Sequence, residues 1–181
     1  MINVYLKKWK KKDEPWERIL ASVLKRDYQM ETCPEILREE NGKPYLKNHP
    51  VYFNVSHSGE YLAIAVSDSP VGIDIQKEKT IREGMYQKVV QQKEQMLIGT
   101  ERQKDFLRLW ALKESFVKAD GRGLRISMKD YYFTEENGRY FVNYIGQKAP
   151  WTFKIEETLI AGYVIAVCGA KTDVFWKVEQ R

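Results

Sequence analysis

Glu101-Arg-Gln-Lys-Asp-Phe-Leu-Arg-Leu-Trp-Ala-Leu-Lys-Glu-Ser-Phe-Val-Lys-Ala-Asp120, followed by Gly121-Arg-Gly123, reads as one long helix. Phe106, Leu109, Trp110, Phe116 and Val117 recur at helical spacing on its apolar side. Gly121 and Gly123 are natural terminators, because glycine accepts the left-handed conformation of a C-cap. On another stripe Leu107, Ala111, Glu114 and Lys118 follow at steps of four, three and four, so Glu114 and Lys118 project together. By itself such a pair is an ordinary surface ion pair contributing roughly 0.2–0.5 kcal/mol.

Working outward from this helix, strand patterns lie on both sides. Upstream, Ile2 to Leu6 reads as a strand, and Asp13 and Pro15 introduce a helix with Trp16, Ile19, Leu20, Val23 and Leu24 on one face. After the turn Gly42-Lys43-Pro44, strands are expected at Val51 to Ser56, Tyr61 to Ser67 and Val71 to Ile75, forming a small antiparallel meander. Ile81, Met85, Val89 and Met96 then resume a helical period. Downstream come Tyr131 to Thr134, an Asn137-Gly138 hairpin turn, Tyr140 to Tyr144, Trp151 to Ile155, Tyr163 to Cys168 and Val174 to Val178. Tyr61 to Val66 and Tyr163 to Val167 echo one another faintly.

This order predicts an α+β protein of two similar, tightly packed lobes, residues 1–73 and 74–181, each a small antiparallel sheet with helices. The absence of a Pro/Ser-rich linker fits one compact unit with its seam near Gly72 to Gln76. At 181 residues, 43% hydrophobic and 30% charged, the balance is globular rather than disordered. No apolar run reaches membrane-spanning length, and the N-terminus lacks the apolar core of a signal peptide, so a cytoplasmic protein without a membrane partner is expected. Cys33 and Cys168 lack zinc or disulfide spacing. The net charge of +5 gathers at Lys7, Lys8, Lys10, Lys11 and Lys12 around Trp9, a solvated surface or an attractor of anions. Without a nucleic-acid-binding motif, a nucleic-acid partner is not expected.

Three other positions carry chemical interest. Asp74 interrupts the apolar strand Val71-Gly-Ile-Asp-Ile75 on the side opposite Ile73 and Ile75, so it faces solvent or has a partner. If that strand abuts the Glu114 stripe, two carboxylates face one cavity, an oxygen-only donor set that suits magnesium. His57 sits in Asn54-Val-Ser-His-Ser-Gly59, where Ser56, Ser58 and Gly59 offer a rim hospitable to phosphate. His49, beside Pro50, is expected to be structural.

Gly42-Lys43-Pro44 with Phe53-Asn-Val-Ser-His-Ser-Gly59, then Val71-Gly-Ile-Asp-Ile75, then Trp110-Ala-Leu-Lys-Glu-Ser-Phe-Val-Lys118 leading to Gly121-Arg-Gly-Leu124, together resemble the Sfp-like 4′-phosphopantetheinyl transferases. The likeness runs from about the first helix to Ala170, and its specificity lies in the order and spacing of the blocks. It implies a pseudo-twofold pair of lobes with coenzyme A in the cleft between them. It also implies Mg²⁺-dependent transfer of the phosphopantetheine arm to a serine of an acyl or peptidyl carrier protein by a monomeric enzyme. Carried over by position, Asp74 and Glu114 match the metal ligands, and Lys118 matches the lysine on the pyrophosphate. Lys43 and His57, with Ser56 beside them, fit the contacts to coenzyme phosphates, and Glu94 falls near the general base for the carrier serine.

Two departures stand out. Asp74-Ile75-Gln76 replaces the Asp-x-Glu of many relatives, so the amide carbonyl oxygen of Gln76, or a water, is expected to take the place of a third carboxylate ligand, with active chemistry and weaker metal affinity. The N-terminal region is also short, and Lys7 to Lys12 are candidates to replace its phosphate contacts. The competing expectation is a catalytically silent module that binds coenzyme A or a carrier protein.

Overall fold

The computed structural model describes residues 1–10, 12–123, 126–171 and 173–179. Lys11 of the lysine cluster and Leu124 of the Gly121 to Leu124 block lie outside the described residues. The strands are β1 (Ile2–Lys8), β2 (Ile36–Arg38), β3 (Pro44–Leu46), β4 (Tyr52–Ser58), β5 (Tyr61–Ser67), β6 (Val71–Lys77), β7 (Tyr131–Glu136), β8 (Arg139–Tyr144), β9 (Gln147–Lys148), β10 (Thr152–Glu156), β11 (Tyr163–Gly169) and β12 (Val174–Glu179). The helices are α1 (Trp16–Tyr28), α2 (Glu83–Val89) and α3 (Arg102–Asp120), with a 3₁₀ turn at Gln92–Leu97.

Two sheets stack between two helices. The first runs β12-β1-β5-β4 and the second β10-β11-β6. Period-two alternation sorts their side chains into three apolar layers. Tyr5, Leu62, Ile64, Val66 and Phe53 meet α1 through Ile19, Leu20, Val23 and Leu24. Val4, Leu6, Ala63 and Ala65 meet Val71, Ile73, Ile75, Ile165 and Val167 between the sheets. Val164, Ala166 and Cys168 meet α3 and the small β7-β8-β9 sheet. Since β5 and β11 are covered on both faces, they read as continuous apolar runs, and each sits inside its sheet, which accounts for their likeness.

The α+β class, the long helix and the Asn137-Gly138 turn are as the sequence predicts; Gly121 caps α3 in the left-handed region at φ 83°. Cys33 and Cys168 are both free. The meander is different. Only β4 and β5 pair; β6 leaves them and pairs antiparallel with β11, setting Asp74 opposite Ala166. The boundary expected between residues 73 and 74 thus falls inside a single strand, and β12 returns to lie parallel to β1. Met96 does not continue a buried helical face: it sits in the 3₁₀ turn and is 96% exposed.

Gly72 explains how closely α3 sits on β6. A Cβ at this position would lie 2.0 Å from the Ser115 carbonyl oxygen and 2.5 Å from the Ala119 nitrogen. Only a bare backbone lets the helix approach so near, and that approach brings Lys118 and Glu114 over Asp74.

Candidate active site

The site forms where the edge strand β4 meets β6. Among the described residues no strand pairs with the outward N–H groups of β6, and side chains of β4 accept their bonds instead. Ile73 N donates to Asn54 Oδ1 at 2.9 Å, Ile75 N to Ser56 Oγ at 3.3 Å, and Lys77 N to Ser58 Oγ at 3.0 Å. Alternation sends Asn54, Ser56 and Ser58 toward β6, while Phe53 and Val55 pack toward α1. The two serines expected to rim a phosphate site are therefore used first to join the two sheets.

Asp74 is 3% exposed and both its oxygens accept hydrogen bonds. Oδ1 receives the Ser56 hydroxyl at 2.8 Å and the Lys118 ammonium at 2.7 Å; Oδ2 receives the Gln76 amide at 2.7 Å. Lys118 also donates to Ser56 Oγ and to the Ile73 carbonyl, each at 3.1 Å. One helical turn away, Glu114 makes no hydrogen bond or ion pair with another described residue. Burial, and then repulsion from Asp74, push its pKa up, with Lys118 pulling the other way. Asp74, Glu114, Lys118, Ser56 and Gln76 are thus brought together.

Gln76 enters this group in a different way from the one expected. Its amide nitrogen faces the carboxylate of Asp74, the only orientation that avoids opposing lone pairs, so it acts as a donor to Asp74 and its carbonyl oxygen is turned away. Among the described residues no cluster of three or more His, Cys, Asp or Glu side chains is placed to hold a metal. Two carboxylates remain, one of them unpartnered, and that donor set fits a magnesium ion that keeps waters and takes further oxygens from a phosphate.

Lys43 stands nearby. Its ammonium donates to the Ala119 carbonyl at 3.3 Å, at the negative end of α3, and burial lowers its pKa. Lys43 and Lys118 both line a cavity of about 250 Å³ with Asn41, Pro44, Val55 and Gly121. Two cations on one small cavity suit an anionic ligand. His57 is not part of this group: it is exposed, and its ring lies 5.4 Å from that of Trp9. In the lysine cluster beside it, Lys7 and Lys8 form exposed ion pairs with Glu14 and Glu60. His49 accepts from Val51 N and is structural.

Glu94 lies elsewhere. It is 0% exposed, its Oε2 is 2.8 Å from the Lys113 ammonium, and its oxygens accept the N–H groups of Gln91 and Phe133 at 2.9 Å each. In this conformation the expected general base is thus enclosed, with both carboxylate oxygens already engaged inside the protein. Lys113 is the partner that reading the sequence overlooks, because a lysine between Leu112 and Glu114 looks like one more surface cation.

The sequence model of the 4′-phosphopantetheinyl transferase superfamily matches residues 70–168, which contain Asp74, Gln76, Glu94, Glu114 and Lys118. Across 162 residues, 86% of this chain and 72% of the relative, the chain is 31% identical to 4′-phosphopantetheinyl transferase ffp of Bacillus subtilis. It is 30% identical over the same shares to 4′-phosphopantetheinyl transferase Sfp of Bacillus subtilis strain 168. With 4′-phosphopantetheinyl transferase gsp of Aneurinibacillus migulanus it shares 29% over 171 residues, 89% of this chain and 71% of that protein. Likeness that spans both sheets, and whose matched region holds the Asp74 and Glu114 carboxylates, makes this chain a member of the 4′-phosphopantetheinyl transferase superfamily.

Proposed function

We propose that this chain moves the 4′-phosphopantetheine arm of coenzyme A to a serine hydroxyl of an acyl or peptidyl carrier protein, leaving adenosine 3′,5′-bisphosphate. The observation that carries this reading is the Asp74 and Glu114 carboxylate pair with Lys118, under α3 at the seam of β4 and β6 and at the edge of the cavity that Lys43 shares. Asp74 and Glu114 would hold Mg²⁺, which supplies charge neutralisation on the pyrophosphate when bound. Lys118 neutralises the leaving phosphate, and Lys43 draws the coenzyme's remaining phosphate to the other end of the cavity. The serine oxygen forms a bond to the phosphorus that carries the pantetheine arm as the pyrophosphate P–O bond breaks. With Glu94 enclosed, a water in the cleft takes the serine proton.

Beside Gln76, Thr80, Ile81, Met85, Phe106 and Trp110 line an apolar cavity of about 270 Å³. With Lys79 and Arg82 in its lining, it offers the acidic helix of a carrier protein an apolar and basic wall. We place the reaction in the cytoplasm; no helix among the described residues is long and apolar enough to cross a membrane.

The bond from Gln76 to Asp74 favours a second reading, a silent binding module, because it occupies an oxygen that a cation would use. One assay separates the two. An apo carrier protein incubated with coenzyme A and Mg²⁺ should gain the mass of one phosphopantetheine arm, and Asp74→Ala or Glu114→Ala should slow the gain by roughly 10²–10³-fold. No mass gain across several carriers supports the silent module.

A further inference from the structure

Lys113 precedes Glu114 on α3, yet its side chain is entirely enclosed. Its ammonium is 2.8 Å from Glu94 and 5.2 Å from the centre of the Tyr131 ring. Glu94 is fixed in turn by the backbone of Gln91 and of Phe133 in β7, and the Gln91 amide donates to the carbonyls of Met128 and Tyr131. The 3₁₀ turn, the approach to β7 and the middle of α3 therefore converge on one buried ion pair. A buried pair is a weak source of stability, since an apolar pair of like volume would serve as well. What it adds is direction.

Direction matters on this helix. Phe106, Leu107, Leu109, Ala111, Leu112, Phe116 and Ala119 are all buried and run nearly around its circumference, so no single apolar stripe marks its heading, and the polar contacts of Lys113 and Lys118 add that information. Adjacent helical residues are locked about 100° apart, so a charge pair that holds Lys113 also sets the heading of Glu114.

We propose that Glu94 and Lys113 are positioning residues: their enclosed ion pair fixes the rotation of α3 and thereby aims Glu114 at Asp74. The turnover part of this statement rests on the transferase reading.

The test compares wild type, Glu94→Gln and the uncharged pair Glu94→Gln/Lys113→Met, which keeps the core filled if the single change unfolds. Mn²⁺ alone is titrated by electron paramagnetic resonance, and transfer to an apo carrier is followed by mass. In the folded variants Mn²⁺ affinity is expected to fall about 10- to 100-fold, the scale found when a group supporting a metal ligand is lost. Transfer should fall in kcat with the carrier KM unchanged, and Glu94→Gln/Glu114→Gln should be no slower than Glu114→Gln alone. Wild-type Mn²⁺ affinity and kcat in either folded variant, or losses that simply multiply with Glu114→Gln, would overturn the proposal. Wild type that binds Mn²⁺ but loads no carrier sinks the transferase reading alone, leaving the Mn²⁺ comparison to decide the ion pair; wild type that does neither overturns both.

Discussion

Asp74 divides its two oxygens among a lysine, a serine and an amide, and the amide is Gln76, where the resemblance leads one to expect a carboxylate. Gln76→Glu would withdraw the amide and set a second carboxylate beside Asp74. We expect the Mg²⁺ concentration for half-maximal transfer to drop about tenfold. Without added cation the variant should melt at a lower temperature than wild type, because like charges then face each other unneutralised. Transfer with unchanged Mg²⁺ dependence would contradict this role for Gln76. Tyr131 makes a different residue-level case: its hydroxyl is buried and has no hydrogen-bond partner among the described residues. Tyr131→Phe should therefore be neutral or stabilising by about 1 kcal/mol in urea unfolding. Side-chain spacing made the shared face of Glu114 and Lys118 legible, because i and i+4 always coincide on a helix. It could not reveal that Glu94 is enclosed or which way the Gln76 amide turns, since neighbours distant in sequence decide both.

Among the elements, β6 does the most to build the site, and its Gly72 is the narrowest point. Gly72→Ala should lift α3 and cost roughly 1–3 kcal/mol, read from the urea midpoint, and it should slow transfer because Lys118 and Glu114 move with the helix. Periodicity located α1 and α3 closely, for each has a full apolar register. It missed the short strands β2 and β3, which have three residues apiece, too few to show a period. It also joined β6 to the wrong neighbour, because Val71-Gly-Ile-Asp-Ile75 announces a buried strand without naming the strand it pairs with. Helix α1 carries a separate, acid-sensitive tie. Asp27 accepts from Arg26, Lys177 and Tyr5, and the guanidinium of Arg26 is the main cause holding its pKa well below the usual carboxylate range. A depressed carboxylate contributes stability above its unfolded pKa of about 4 and loses it as pH falls toward the folded value. Asp27→Asn should accordingly be less stable than wild type at pH 7, and the gap should close as the pH drops below about 4.

On the scale of the whole molecule, the chain crosses between its sheets twice: β6 departs to pair with β11, and β12 comes back to pair with β1. The first sheet takes β1, β4 and β5 from the start of the chain and β12 from its far end, with the whole second sheet, residues 71–169, in between, so it cannot complete its hydrogen-bond ladder until that segment has folded back. Urea unfolding should then be a single transition, with tryptophan fluorescence from both ends of the fold, Trp9 and Trp16 on one side and Trp110 and Trp151 on the other, coinciding with far-UV circular dichroism. Two separated transitions would mean that the lobes unfold independently. The side-chain bonds that join β4 to β6 have one more consequence. The amides of Ile73, Ile75 and Lys77 are protected by Asn54, Ser56 and Ser58 rather than by a neighbouring backbone. They should take up deuterium together, at the rate at which the cleft parts, making them three built-in clocks for its breathing. A ligand that bridges the two sheets would slow all three at once.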